Sequence, residues 1–195
     1  MSSAASASRE THKDELNALL AGRPIVLVGM MGAGKTTVGR RLATRLGRHF
    51  VDSDEEVEKA AGMTIEEIFS KHGEADFRTG EARVIARLLK DRDLVLGTGG
   101  GAFMNAETRA LIKSCSVSVW ISADFELLFQ RVQRRSNRPL LKTANPRETL
   151  QTLIDKRYPT YAEADVTVVS KDVPQDQVAE EVIDAMLAHL GQRHG

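Results

Sequence analysis

The sequence predicts an α/β fold, a five-stranded parallel sheet with helices on both faces, and three observations predict it. Short apolar runs alternate with helical patterns along most of the chain. Those runs are nearly continuous in Val, Ile and Leu, which suits strands buried on both faces. The first of them leads into a complete glycine-rich phosphate-binding motif and then an amphipathic helix. At 195 residues the chain suits one such domain with a sizeable core.

The elements follow in order. Residues 1–9 are mostly Ser and Ala, carry no apolar period and read as a tail. Glu15 to Ala21 suits a short helix stopped near Gly22, so residues 1–22 precede a domain spanning 23–195. Ile25 to Val28, between Pro24 and Gly29, is a buried strand. Lys35 to Leu46 is a helix with Val38, Leu42 and Leu46 at four-residue spacing. His49 to Asp52 is the second strand. Glu55 to Ala60 and Ile65 to Lys90 read as helices with breaks at Gly62, Gly73 and Gly80. Leu94 to Leu96, Val117 to Ile121 and Val166 to Val169 complete the sheet. Helical patterns between and after them cover Ala106 to Lys113, Asp124 to Arg134, Pro146 to Tyr161 and Pro174 to Leu190. Ser136 to Pro146, with two prolines and two asparagines, is the one candidate flexible loop inside the domain.

Composition narrows the function. The 27 basic and 27 acidic residues cancel, which removes the simplest support for a nucleic-acid or membrane-surface binder. The single cysteine, Cys115, excludes an internal disulfide and points to a reducing compartment, where it reads as a buried thiol. No apolar run reaches the ~18 residues of a transmembrane helix. The opening MSSAASASRE lacks the order of a signal peptide, and Glu10, Asp14 and Glu15 speak against a transit segment. A cytoplasmic protein is expected. Charge is nonetheless uneven: Asp52 to Asp76 holds nine acidic and two basic residues, and Arg131 to Arg147 holds six basic and no acidic ones. Solvated helix faces explain most of this, but the basic stretch includes the loop, so an anion-gripping lid at about 131–147 competes there.

Gly29 to Thr36 reads G-M-M-G-A-G-K-T. Glycines let the backbone turn its N–H groups toward phosphate oxygens, and the following helix adds its positive end. Lys35 supplies a full charge toward the β- and γ-phosphates, and the Thr36 hydroxyl is a ligand for Mg²⁺. The ligand is therefore a purine nucleotide with magnesium. A guanine-reading N-K-x-D and a D-x-x-G switch are absent. Asp52-Ser53-Asp54 instead ends the strand after the P-loop helix, at the sheet edge where ligands bind. One carboxylate there can hold the metal's water shell while the other faces an acceptor hydroxyl; capping of the next helix is the plain alternative. On the acceptor side stand Arg78 beside Phe77, the loop Gly97-Thr98-Gly99-Gly100-Gly101 after a strand, Arg138 in the basic loop and Arg157 on a helix. Each alone is readable as a surface ion pair or a turn.

Together these segments closely resemble shikimate kinase: GMMGAGKTTVG from Gly29, DSDEEVE from Asp52, IEEIFSKHGEADFR from Ile65, GTGGGA from Gly97, RPLL from Arg138 and DKRYPTY from Asp155. The resemblance implies a P-loop NTPase fold of the nucleoside monophosphate kinase type, with ATP and Mg²⁺ as cofactors and shikimate as the small-molecule partner, in the route to chorismate and the aromatic amino acids. It implies that Gly32, Ala33, Gly34, Lys35, Thr36 and Thr37 hold the ATP phosphates, with Thr36 on the metal and Asp52 supporting it through water. Lys35, Asp54 and Arg138 are the implied catalytic residues, Asp54 as base or orienting group and Arg138 reaching over the phosphates from the lid. Arg134 is placed beside adenine. Arg78 and Arg157 are placed on the substrate carboxylate and Gly100 against the ring hydroxyls, with Gly99 and Gly101 also binding the substrate. Neither nucleic acid nor membrane is expected as a partner, and a monomer is expected. A related small-molecule kinase, such as a gluconate kinase, and a nucleotide-binding regulator without turnover are the alternatives. The paired arginines with Asp54 disfavour the first; Lys35, Asp54 and Arg138 together disfavour the second.

Overall fold

The sheet is parallel throughout, with strand order β2-β3-β1-β4-β5, in a computed structural model that describes residues 2–134 and 144–192, with side chains from Glu10 onward. The central strand β1 (Ile25–Val28) is wholly buried between β3 (Leu94–Gly97) and β4 (Val117–Ser122). β2 (His49–Asp52) and β5 (Val166–Val169) are the edges. β1 and β3 expose no residue, and β5 alternates between buried and exposed residues, as a covered centre and a one-sided edge require. The expected α/β fold with five parallel strands is the observed one, and β1, β2 and β5 have the expected bounds.

Because every strand is parallel, every strand ends at the same edge, and the loops that matter gather there. β1 runs into the P-loop and α2 (Lys35–Leu46), β2 into α3 (Ser53–Ala61), and β3 into the triglycine segment and a short 3₁₀ turn, η1 (Ala102–Met104), that the sequence did not suggest. α4 (Ile65–Leu88) opens with a full capping box, Thr64 with Glu67, and kinks at Gly73, whose φ of 82° is left-handed. Gly80, expected to break it, does not: it lies inside the helix with helical backbone. α5 (Ala106–Cys115) leads to β4, α6 (Phe125–Gln133) to the basic loop, and α7 (Pro146–Tyr161), capped by Asn145 with Pro146 in its first turn, to β5. Cys115 is half-buried rather than buried, its thiol bonded to the Leu111 carbonyl at the end of α5.

The N-terminal expectation needs correction. In place of a tail through residue 9 and a helix only from Glu15, one helix, α1, runs Ser2–Leu20. Leu16 and Leu20, four residues apart on one face, are fully buried in the main core against α8 (Gln175–Gly191) and α2. Asn17 donates to the Leu46 carbonyl (3.0 Å) and accepts from Arg48 Nε (3.0 Å), closing the end of α2 onto α1. The few apolar residues of this segment are spaced for docking, and docking prolongs a helix whose Ser/Ala start holds no Gly or Pro to break it.

Candidate active site

Two clefts open side by side at the strand-end edge. The first, about 530 Å³, is lined by the P-loop and by Asp52, Asp54 and Arg134. The second, about 400 Å³, is lined by Phe69, Phe77, Arg78, Glu81, Gly101 and Arg157 among others. They share Met31, Asp54, Glu58, Ile65, Gly99 and Gly100. Asp54 thus stands where one cleft passes into the other.

The first cleft is built for an anion. Gly34 caps α2 without any side-chain hydrogen bond, so the first N–H groups of that helix are not taken by a cap. Lys35 folds back over the loop, its Nζ donating to the carbonyls of Gly29 and Met30 at 2.9 Å each. Those bonds aim the ammonium at the mouth of the loop. Gly32, Gly34, Lys35, Thr36 and Thr37 line the cleft, whereas Ala33 is buried beneath it with its amide bonded to the Met30 carbonyl (3.2 Å). The Thr36 hydroxyl donates to Asp52 Oδ2 at 3.0 Å, and Asp52 Oδ1 accepts the backbone N–H of Asp54 at 3.0 Å. Asp52 therefore makes two contacts at once. It caps α3 and it stands beside the P-loop threonine, and by capping it fixes the backbone that carries Asp54.

Hydroxyl and carboxylate oxygens are the hard donors that Mg²⁺ takes, and the ion keeps several waters and binds substrate phosphates. Thr36 with Asp52 fits that chemistry. A phosphate-held Mg²⁺ needs no dense protein cluster, and none of three or more His, Cys, Asp or Glu side chains occurs among the described residues.

The second cleft holds two arginines, Arg78 and Arg157. Arg78 lies across its wall, Nη1 on Glu81 Oε2 (2.7 Å) and Nη2 on Glu74 Oε1 (3.2 Å), with the guanidinium also over the Phe77 ring. Glu74 is an exposed rim residue, but Glu81 is 2% exposed. Burial works against the Arg78 charge, yet the two carboxylates outweigh it and hold its pKa above the usual value. For Glu81 burial prevails over Arg78 and raises the carboxyl. The difference follows from depth, since Glu81 is the more desolvated partner. Glu81 Oε1 has no hydrogen-bond partner among the described residues and faces Gly99. A Cβ at Gly99 would lie 2.5 Å from Asp54 Oδ1 and 2.8 Å from Glu81 Oε1, and one at Gly101 would run into the Arg78 guanidinium. A side chain at either position would have to push these carboxylates or the guanidinium aside, and the triglycine shows the cleft only backbone.

Lys35, Thr36, Asp52, Asp54, Arg78, Arg157 and the triglycine are brought together as the sequence suggested. Arg134 lines the outer part of the first cleft, but the arginine that touches the P-loop is Arg131, through the carbonyls of Gly32 (3.5 Å) and Ala33 (3.4 Å) and Ser170 Oγ (3.1 Å). Arg138 and most of the proposed lid lie outside the described residues. Glu81 was missed. Its signal was available: three residues after Arg78 on a helix, it must share that arginine's face. Ser53 was also passed over; it is fully buried and its hydroxyl accepts the Gly99 N–H at 3.1 Å, joining the two loops.

The chain is similar to known proteins over most of its length. The family model for shikimate kinase matches residues 31–187. The shikimate kinase of Bradyrhizobium diazoefficiens is 54% identical over 190 residues, 97% of this chain and 92% of its own, and that of Rhodopseudomonas palustris is 53% identical over 186 residues, 95% and 92%. Among solved structures, shikimate kinase from Acinetobacter baumannii in complex with shikimate superimposes with a TM-score of 0.84 at 42% identity, over 89% of this chain and 97% of that one. Matches that span the P-loop, the acidic turn and the acceptor pocket alike show that the chain belongs to the shikimate kinase family, a family of ATP-dependent kinases.

Proposed function

We propose that the chain transfers the γ-phosphoryl group of Mg-ATP to the 3-hydroxyl of shikimate, giving ADP and shikimate 3-phosphate. The observation that carries this is the junction at Asp54: a phosphate cleft and an arginine-lined acceptor pocket meet there, Asp54 being, with Glu58, one of the two carboxylates that line both. The P-loop amides and Lys35 hold the β- and γ-phosphates, and Thr36 with Asp52 would hold Mg²⁺, which supplies charge neutralisation on those phosphates when bound. Arg131 and Arg134 line the same cleft, and Arg134 packs beside the adenine, as the family resemblance implies. Arg138 reaches the phosphates from the loop, as the family resemblance implies. Asp54 accepts from the acceptor hydroxyl and directs its lone pair at phosphorus. Arg78 and Arg157 take the shikimate carboxylate; Glu81 keeps Arg78 aimed, while the exposed Glu74 yields its place to the ligand. The protein acts as a cytoplasmic monomer on a small molecule, without nucleic acid or membrane; no helix among the described residues is long and apolar enough to cross one.

ADP release in a coupled assay should depend on shikimate and on Mg²⁺. Stimulation by gluconate or a nucleoside monophosphate, with none by shikimate, would overturn the assignment. Arg78→Lys and Arg157→Lys should each weaken shikimate binding by ~1.5–3 kcal/mol, because an ammonium cannot reproduce the paired planar N–H bonds to a carboxylate. Calorimetric titration with shikimate checks this. If a shikimate analogue lacking the carboxylate bound as well as shikimate itself, the clamp would be wrong.

A further inference from the structure

The triglycine segment has no side chains, so its direction is imposed by its surroundings. Gly99 is tied to Ser53. The Gly100 carbonyl takes two donors, Arg157 Nη1 at 3.1 Å and the Tyr161 hydroxyl. A carbonyl oxygen has two lone pairs, so this is its full complement. The peptide joining Gly100 to Gly101 is planar, and fixing its carbonyl fixes its N–H on the opposite side. The first of these bonds also fixes one edge of the Arg157 guanidinium. Gly100, Gly101 and Arg157 all line the acceptor pocket, and Tyr161 lines neither cleft.

Tyr161 is well placed to hold something still. It is the last residue of α7, is 1% exposed, and packs its ring against Trp120 (6.0 Å between centroids) and Tyr158 (6.3 Å). Its hydroxyl also lies 3.9 Å from the sulfur of Met30 in the P-loop. Burial, only partly offset by Arg157, pushes its pKa up to about 12, so the hydroxyl keeps its proton and remains a donor.

We infer that Tyr161 is a positioning residue for acceptor binding: with Arg157 it holds the Gly100 carbonyl, and so sets how the Gly100–Gly101 peptide and the Arg157 guanidinium face the substrate. This rests on shikimate being the acceptor, which turnover of the unaltered protein tests by itself. Tyr161→Phe in the full chain removes one hydroxyl and keeps the ring. It is expected to raise the KM for shikimate roughly three- to tenfold, the span one hydrogen bond supports, with the KM for ATP little changed and kcat falling less than the shikimate KM rises. Tyr158→Phe is the control. It sits on the same helix, and its hydroxyl donates to the Ala123 carbonyl, away from the triglycine. That variant should lose comparable thermal stability and keep the shikimate KM. Equal effects of the two variants on that KM, or a Tyr161→Phe variant changed only in melting temperature, would overturn the inference. Should the Tyr161 variant not fold, ¹³Cζ-tyrosine labelling of the unaltered protein decides: titrated shikimate should move the Tyr161 resonance and leave that of Tyr158, and an unmoved Tyr161 signal would count against the role.

Discussion

Lys35→Met is expected to leave the fold intact and to lower kcat by about 10³-fold or more. The two bonds from Nζ to the Gly29 and Met30 carbonyls hold the ammonium over the P-loop, at the start of a helix whose own end is positive. Transfer to a hydroxyl moves negative charge toward the bridging oxygen and the leaving phosphate. A fixed cation in a partly dehydrated cleft stabilises that charge far more than it would in water, and removing a single such group typically costs 10²–10³. Lys35 carries a full charge rather than a neutral donor, which sets the expectation at the upper end. Methionine is one atom shorter but keeps an unbranched apolar stem, so the loop loses a charge and two bonds but little packing. Steady-state ADP release and a thermal melt on the same preparation check it. A variant that melts normally and turns over within a few fold of the parent would show that this loop is not the catalytic cradle.

The asymmetry between what was readable in the sequence and what was not has a physical origin. The P-loop is local: a strand, a glycine turn and a helix start lie within a dozen consecutive residues, and their chemistry follows from that order. The sheet was readable because β1 and β3 are buried on both faces and so are apolar without interruption. The acceptor pocket is not local. Arg78, Gly100 and Arg157 meet only because β3 ends beside β1 and α7 crosses behind, so single residues looked like surface charge or a turn until the family resemblance ordered them. Glu81 escaped for another reason: acidic residues in helices are usually solvated, and only burial distinguishes this one. α1 was underestimated because two leucines four residues apart give a weak periodic signal, although they are among the most deeply buried residues of the core. Asp52 shows that alternatives need not compete. Capping α3 does not exclude a place beside the P-loop: one of its oxygens takes the Asp54 N–H and the other the Thr36 hydroxyl.

Asp54→Asn should lower kcat by roughly 10²-fold or more, the effect of a positioned acid–base group, and leave the KM for ATP little changed. The substitution keeps the size of the side chain, so Gly99, whose Cα region it crowds, has no new clash to accommodate. What it removes is the negative charge and the ability to accept a proton on either oxygen. Asp54 lines both clefts, whereas Thr36 and Asp52 belong to the first alone, so the loss falls on the acceptor hydroxyl rather than on nucleotide binding. Its backbone is held by Asp52 and its neighbour Ser53 by Gly99, which places the carboxylate without help from substrate. Two ways of acting separate by their pH dependence. A base loses its function when protonated, so the parent should show an acidic limb in kcat that disappears in the asparagine variant. An orienting group keeps hydrogen bonding through the asparagine amide oxygen, and then kcat falls by much less and the limb persists. Rate profiles of parent and variant, measured at saturating ATP and shikimate, distinguish them. Weakened ATP binding with an unchanged kcat would move Asp54 from the acceptor to the metal, and would require Asp52 alone to account for the turn between β2 and α3.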